Sequence, residues 1–472
     1  MIEQDNLMRT NLLVTIREIP RRRGSAIILG SILLGLVLAR FMMISPLAAI
    51  LVLSSGIILA LTFLLRKINY LIFGWFCLTS MIWFIMRSLP THLYPYVGRG
   101  IFWGLLICII AAWAIDNILS ARPFLPFDHV PLKATILIFL LWGVATLFTS
   151  VDVFNSVKKL SHFILALASS YMFYDFFSRD QNNIKKIIGI VIVILLLISS
   201  ITVLIAGYSL MSGVVIYKQL YLWFINPNVL GYILFMCIPI FITTGHEVVS
   251  NRTLRICAVS VALLAIFFSF HRTSWLATLS SIAFILFKGR MKASMWTAAI
   301  IGIFVSALLL PVFGEDVYQF FTGERYTGRI EIWQAAWNTA CDYPILGTGP
   351  GNSMEIMSRY IDTPWLMEEE THSVYLKNAA EMGFISVVIM LVIYVTFFAS
   401  SERIERNLKS DYLRNVSRGV TATFLGLLIH GIFENGYFLT PFVAAEFHAL
   451  LPYMFLSLPF AAKRLEERGE AD

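Results

Sequence analysis

The sequence predicts an all-α polytopic membrane protein of about fourteen transmembrane helices with one large, partly helical loop facing outward. Three observations predict it. Of 472 residues, 58% are hydrophobic and only 14% charged, where a soluble domain carries about 25% charged residues. Mean hydropathy is +0.77, and the apolar residues gather in windows near the roughly 20 residues that one spanning helix requires. The basic residues, in excess by a net charge of +7, fall in the short gaps between those windows. There they act as topology signals and headgroup contacts, so the pI of about 9.1 does not imply nucleic acid.

Taken in order, residues 1–24 form a polar tail ending in Arg21-Arg22-Arg23, and the apolar run after it is too long and lacks a small-residue cleavage site, so it is expected to be retained. Spanning segments are expected at 25–44, 46–65, 69–86, 98–115, 132–149, 161–177, 184–207, 225–244, 254–270, 273–287, 293–313, 373–400, 418–438 and 440–460, followed by a tail at 461–472. With Arg21 to Arg23 cytoplasmic, alternate connections are basic: Arg66 and Lys67, Arg122, Arg179 with Lys185 and Lys186, Arg252 and Arg255, Lys288 to Lys292, Arg403 to Arg418, and Lys463 with Arg464. Lys158-Lys159 breaks the rule. Both termini are then expected in the cytoplasm. The segments 254–270 and 273–287 require a tight hairpin at Phe270 to Trp275; if they were one bent span, every later segment would invert.

The polar stretch 314–376 stands out in so apolar a chain, and the loop 314–372 within it is the natural place for chemistry. Gly328 opens a helical pattern with Ile330, Trp333, Ala336 and Trp337 on one face. That puts Arg329 in the first turn, where free N–H groups favour an anion; a solvated pairing with Glu331 or Glu324 is the simpler alternative. Arg272 lies at the other outward junction beside His271, where an arginine either snorkels or holds an anionic partner. Two guanidinium forks together would suit a diphosphate. His372 closes the loop, and an imidazole titrating near about 6.5 suits a general base for a hydroxyl.

Other features carry less. Gly347-Thr-Gly-Pro-Gly351 lacks the Lys-Ser/Thr of a phosphate loop and reads as a turn with positive-φ glycines. Glu368-Glu369-Glu370 reads as solvated, and no metal is expected. Asn226-Pro227-Asn228 is a helix start whose amides are also available to a polar ligand. His430 and Glu434, four apart, are expected to share a helix face and, with Glu381 and Glu446, to line the bundle interior as a helix-tying network or a polar path. Of five cysteines only Cys341 lies in the loop, and there is no Cys-x-x-Cys pair for zinc.

These residues form a pattern. Gly328-Arg329 with Trp333, the Pro344…Gly347-Thr-Gly349 turn, His372-Ser-Val-Tyr375-Leu376 leading to Glu381-Met-Gly383, Arg272 before Thr273-Ser274, and Asn226-Pro-Asn228 together resemble the O-antigen ligase and O-antigen polymerase superfamily of bacterial membrane glycosyltransferases. The resemblance covers roughly 220–390. It departs at Ser373, where the family usually has Asn, and at Ser386, where glycine is common. It implies transfer of a glycan from undecaprenyl diphosphate to a sugar hydroxyl at the outer face of the inner membrane. The acceptor would be another lipid-linked repeat in the polymerase branch and lipid A core in the ligase branch. Arg272 and Arg329 would bind the diphosphate and His372 would activate the acceptor, with Asn226, Asn228, Trp333 and Tyr375 as further substrate contacts. No cofactor is implied. The span count and the missing Asn favour the polymerase branch. A transporter or flippase with a loop lid is the reading from another class, and a sensor or scaffold a third; the sequence leaves the oligomeric state open.

Overall fold

A computed structural model describes residues 94–119, 127, 129–212, 227–288, 328–435, 438–439 and 447–469. The chain divides into two compact units, Met1–Pro95 and Tyr96–Asp472, and apart from Tyr94 and Pro95 the described residues belong to the second. The expected spans 25–44, 46–65, 69–86 and 293–313 lie outside the described residues, as do Asn226, Glu324 and Glu446.

The described residues form helices joined by turns, with no strand among them. The helices are α1 (Tyr94–Leu119), α2 (Val130–Ala145, extended by a 3-10 turn Thr146–Thr149), α3 (Val153–Phe177), α4 (Gln181–Ser212), α5 (Pro227–Thr244), α6 (Arg252–Phe268), α7 (Arg272–Phe287), α8 (Gly328–Asp342), the short α9 (Ser353–Met357), α10 (Val374–Asn407), α11 (Asp411–Phe433) and α12 (Phe447–Glu467). Polar side chains start several of them: Asp152, Asn251, Ser373 and Ser410 each accept a hydrogen bond from a backbone N–H three residues on, which satisfies a donor the first turn leaves open. Among the described residues, five segments are long and apolar enough to cross a membrane: Val130–Thr149, Gln181–Ser209, Pro227–Thr244, Val374–Asn407 and Asp411–Phe433. Residues 254–270 and 273–287 are two helices, broken at Ser269–His271.

The centre of the bundle is α11, which packs against α5, α7, α10 and α12. Its small residues allow this. A Cβ on Gly419 would meet Thr243 Oγ1 of α5 at 2.3 Å, and one on Gly426 would meet Ser281 Oγ of α7 at 2.5 Å. Ser281 Oγ donates across the gap to Ala422 O at 2.8 Å. Such close approach is how apolar helices associate where hydrophobicity alone gives no preference for protein over lipid. The outer helices keep apolar faces open instead, as at Leu141 of α2, Leu204 of α4 and Leu279 of α7, the surface that lipid would cover.

The structure corrects one expectation. The last-but-one span is expected at 418–438, with His430 and Glu434 on one helix face. The helix ends at Phe433, and Glu434 is its C-cap in extended backbone (φ −144°, ψ 155°). Glu434 therefore leaves the helix and makes no hydrogen bond to the His430 ring, whose two nitrogens have no hydrogen-bond partner among the described residues.

The glycine-rich turn and the Glu381-Met-Gly383 segment are two halves of one joint. Gly383 interrupts α10 with φ 74° and ψ 169°. The carbonyls freed by the break accept from the turn: Thr348 N–H donates to Ala380 O (3.0 Å) and Gly349 N–H to Glu381 O (2.9 Å), while Phe384 N–H donates back to Pro344 O (2.9 Å). Trp142 Nε1 of α2 donates to Met382 O at 2.9 Å. Gly347, Gly349 and Gly351 all have positive φ, and a Cβ on Gly347 would lie 2.3 Å from the Glu381 carbonyl carbon. Ser386, where the resemblance expects glycine, donates its hydroxyl to Gly383 O at 2.7 Å. The turn is thus a backbone clamp on a broken helix, with the N–H groups of Gly347, Thr348 and Gly349 occupied.

Candidate functional site

Four chain segments meet at the end of α11: the starts of α7, α8 and α10, and Glu434 itself. The short helix α8 is rooted by an apolar cluster of Ile332, Trp333, Ala335 and Ala336 against Met357, Ile361, Leu366 and Leu376. Leu366 packs so tightly on Gly328 that a Cβ there would come within 2.3 Å of Leu366 Cδ2. Glu331 then pins the strap before Leu366, its Oε1 accepting from the N–H groups of Asp362 (2.7 Å) and Thr363 (2.9 Å). Arg329 is consequently held at the first turn of α8 with its fork directed inward rather than to Glu331.

That fork reaches Glu434. Arg329 Nη2 donates to Glu434 Oε1 at 2.9 Å and Nη1 to Phe433 O at 3.0 Å. His372 Nδ1 lies 3.3 Å from Glu434 Oε2. His271 Nε2 lies 3.2 Å from Glu434 Oε1, and its Nδ1 lies 2.6 Å from Ser274 Oγ. One carboxylate thus gathers three basic side chains that are distant in sequence. The neighbouring Asn435 is anchored too: its Nδ2 donates to Glu370 Oε2 at 2.6 Å, and Lys377 Nζ donates to the same oxygen at 2.7 Å. That takes Glu370 out of the acidic run expected to be solvated.

Backbone geometry aims these groups. His372 has φ +48° and Phe270, which precedes His271, has φ +55°, a left-handed conformation that histidine tolerates better than β-branched residues. Ser373 then caps α10 by accepting from Leu376 N–H. Serine and asparagine are equivalent caps, so an asparagine at this position could cap the helix equally well. His271 is wedged beneath Gly231 of α5, where a Cβ would meet its own Cβ at 2.9 Å.

Glu434 is 8% exposed. Burial pushes its carboxyl up, but hydrogen bonds from His271 and His372, with the Arg329 charge, outweigh this and hold it well below the usual carboxylate range. A carboxylate depressed in this way adds stability above its ordinary value of about 4.3, and that stability is lost as pH falls through the lower, folded value. Thermal unfolding of wild type and Glu434→Gln should therefore differ most at neutral pH and converge on acidification below the ordinary carboxylate range. A constant gap down to strong acid would show that Glu434 is not ionised in the folded state.

The expected site residues separate into groups. Arg329 and His372 are brought together. Arg272 begins α7, is exposed and makes no ion pair among the described residues, while its neighbour His271 enters the cluster. Trp333 and Tyr375 are 3% and 2% exposed; Trp333 belongs to the cluster under α8, and Tyr375 donates its hydroxyl to Leu428 O at 2.6 Å, so both pack beneath the site. Asn228 is half-buried in the first turn of α5. Trp365, on the strap over α8, is 67% exposed and offers an aromatic face to solvent. Sequence reasoning assigned neither Glu434 nor His271 to the site.

Residues 257–401 match the family model described as O-antigen ligase, a segment that contains Arg272, Arg329, His372 and the broken part of α10. No curated protein matches the chain. Through that segment, the chain is similar to the O-antigen ligase family.

Proposed function

We propose that the protein transfers a glycan from undecaprenyl diphosphate to a sugar hydroxyl at the outer face of the bacterial inner membrane, and that it does so as a polymerase of lipid-linked repeats. The observation that carries this reading is the meeting of Arg329 and His372 on one buried carboxylate at the end of the central apolar helix. The donor's lipid tail needs the bilayer while its diphosphate and sugars need water, and a site at helix ends serves both.

In the reaction, His372 takes the proton of the acceptor hydroxyl as its oxygen bonds to the anomeric carbon of the donor. The bond from that carbon to the diphosphate oxygen breaks, and its electron pair leaves on the undecaprenyl diphosphate. Arg272 and Arg329 offset the charge gathering there. The open guanidinium of Arg272 is available to such an anion, and Arg329 is already charge-paired and fixed in direction. Trp365 offers a sugar-stacking face. Both termini lie in the cytoplasm in this reading, and neither metal nor cofactor takes part.

The test is a purified full-length protein in lipid vesicles, supplied with the lipid-linked oligosaccharide fraction of a deletion strain. A ladder of products without lipid A core supports polymerisation; a single product that needs core moves the protein to the ligase branch. Arg272→Ala should raise the KM for donor by about tenfold or more, with a smaller change in kcat. Arg329→Ala should lower kcat as well, because Glu434 loses its charge partner. Unchanged kinetics in either variant would remove that arginine from the diphosphate site.

A further inference from the structure

We propose that Glu434 is the positioning carboxylate of the site: through Oε2 it fixes His372 as the Nδ1–H tautomer and leaves Nε2 as the base. The proposal rests on the transferase reading and goes beyond it, since Glu434 lies outside the matched segment 257–401.

An ionised carboxylate only accepts hydrogen bonds, so each neighbour within reach must donate. Arg329 always can. His271 must then carry its proton on Nε2, which leaves its Nδ1 to accept from the Ser274 hydroxyl 2.6 Å away. His372 must carry its proton on Nδ1, 3.3 Å from Oε2. The lone pair of His372 is thereby placed on Nε2. The nearest acidic group there is Glu369 Oε2 at 3.7 Å, beyond hydrogen-bond distance, and Glu369 is exposed. Nε2 is thus the nitrogen turned toward the side from which a hydroxyl can arrive. When it takes the proton, the imidazolium forms against Glu434, which stabilises it.

The arrangement also explains the other two contacts. A carboxylate that oriented a base while free to rotate would orient it poorly. Oε1 is held from two sides, by Arg329 from α8 and by His271 from the start of α7, and Asn435 on Glu370 fixes the next residue. Among the described residues, the charged and titratable groups around His372 are therefore Glu434, Glu369, Arg329 and His271, with Glu370 and the Lys377 and Lys159 charges that act on it. Only Glu434 contacts Nδ1 among the described residues.

The experiment compares wild type, Glu434→Gln, Glu434→Ala, Glu434→Asp and His372→Ala as full-length proteins in the same vesicles and with the same extracted lipid-linked fraction. Rates are followed across the pH range in which imidazole titrates. We expect Glu434→Gln and Glu434→Ala to lower kcat by about 10²-fold or more, with the acid limb of the rate profile displaced to lower pH because the carboxylate that favours imidazolium is gone. Glu434→Asp should recover part of kcat and return the limb toward its wild-type position. A Glu434→Gln enzyme with wild-type kcat and an unmoved limb, beside an inactive His372→Ala, overturns the proposal and spares the transferase reading. A fall in kcat that follows loss of folded protein, with the limb unmoved, overturns it too, since a purely structural carboxylate would do that. Absence of transfer by the wild type removes the reading and the proposal together.

Discussion

His372→Ala is expected to abolish polymer formation while the protein still inserts and folds. General-base catalysis contributes roughly 10²- to 10⁴-fold, so the ladder of extended glycan should fall below detection and single lipid-linked repeats should accumulate. The fold should survive because the ring is partly open to solvent, with 26% of its side chain exposed, while the cap that starts α10 belongs to Ser373. The positive φ at position 372 complicates alanine, which is less at ease there. His372→Asn separates the two effects: asparagine tolerates left-handed backbone yet supplies no base. Both variants should be inactive, and the asparagine variant should match wild type in thermal unfolding in detergent. Wild-type glycan length from the asparagine variant would exclude His372 as the base.

The parts of the site that were legible in sequence are those whose chemistry depends on local position. Arg329 in a first turn and His372 at a loop end were both readable, because a glycine, an apolar periodicity and a return to hydrophobic sequence mark those places. Glu434 was not readable as a partner of either. Its helical spacing from His430 suggested a shared face, and that face is broken by a backbone turn after Phe433 that no residue within the helix announces. Asn435-Gly436 immediately after it is the one hint, since that pair punctuates turns. His271 was masked by its neighbour: an arginine at a junction attracts an electrostatic argument, whereas the histidine enters the cluster because it precedes α7 and is wedged against Gly231.

The fold was legible in its class and, among the described residues, in most helix positions, because apolar windows bounded by basic gaps follow directly from the cost of unsatisfied backbone and charge in lipid. Which helix would be central was not legible. The hydropathy of α11 is lower than that of α4, 1.4 against 3.1, yet α11 is surrounded by protein and α4 is open. The difference lies in small residues at Gly419 and Gly426, whose value depends on what stands opposite. Likewise Lys158-Lys159, which broke the positive-inside pattern, has a local reason on the side that concerns Lys159: its stem lies against Gly351, and its charge helps Lys377 and His372 hold the half-buried Glu370 carboxyl below its ordinary range against the opposing effect of burial. A basic residue engaged with the loop serves as a structural contact rather than a topology signal.

Gly383→Ala is expected to be the most destabilising single substitution among the described glycines. Two costs add. The backbone at φ 74° and ψ 169° lies in a region open essentially to glycine alone, where another residue costs on the order of 1–3 kcal/mol. The added Cβ would also lie 1.8 Å from Ile345 O, a contact that only movement of backbone can relieve, at a further cost of about 1–3 kcal/mol for overpacking. Relief would pull the turn away from the broken helix and leave the carbonyls of Ala380 and Glu381 without the N–H groups of Thr348 and Gly349. Since that turn joins α8 to the start of α10, Arg329 and His372 should lose their common register together. The readouts are thermal unfolding in detergent and protease cleavage within 344–372. Gly189→Ala is the control: a Cβ on this glycine of α4 meets nothing within 4 Å, so alanine there should stabilise by about 0.5–1 kcal/mol. A Gly383→Ala protein that unfolds with wild type, at a temperature no lower than the control's by more than scatter, would mean that the break in α10 is not required and that the glycine turn does not hold the site in place.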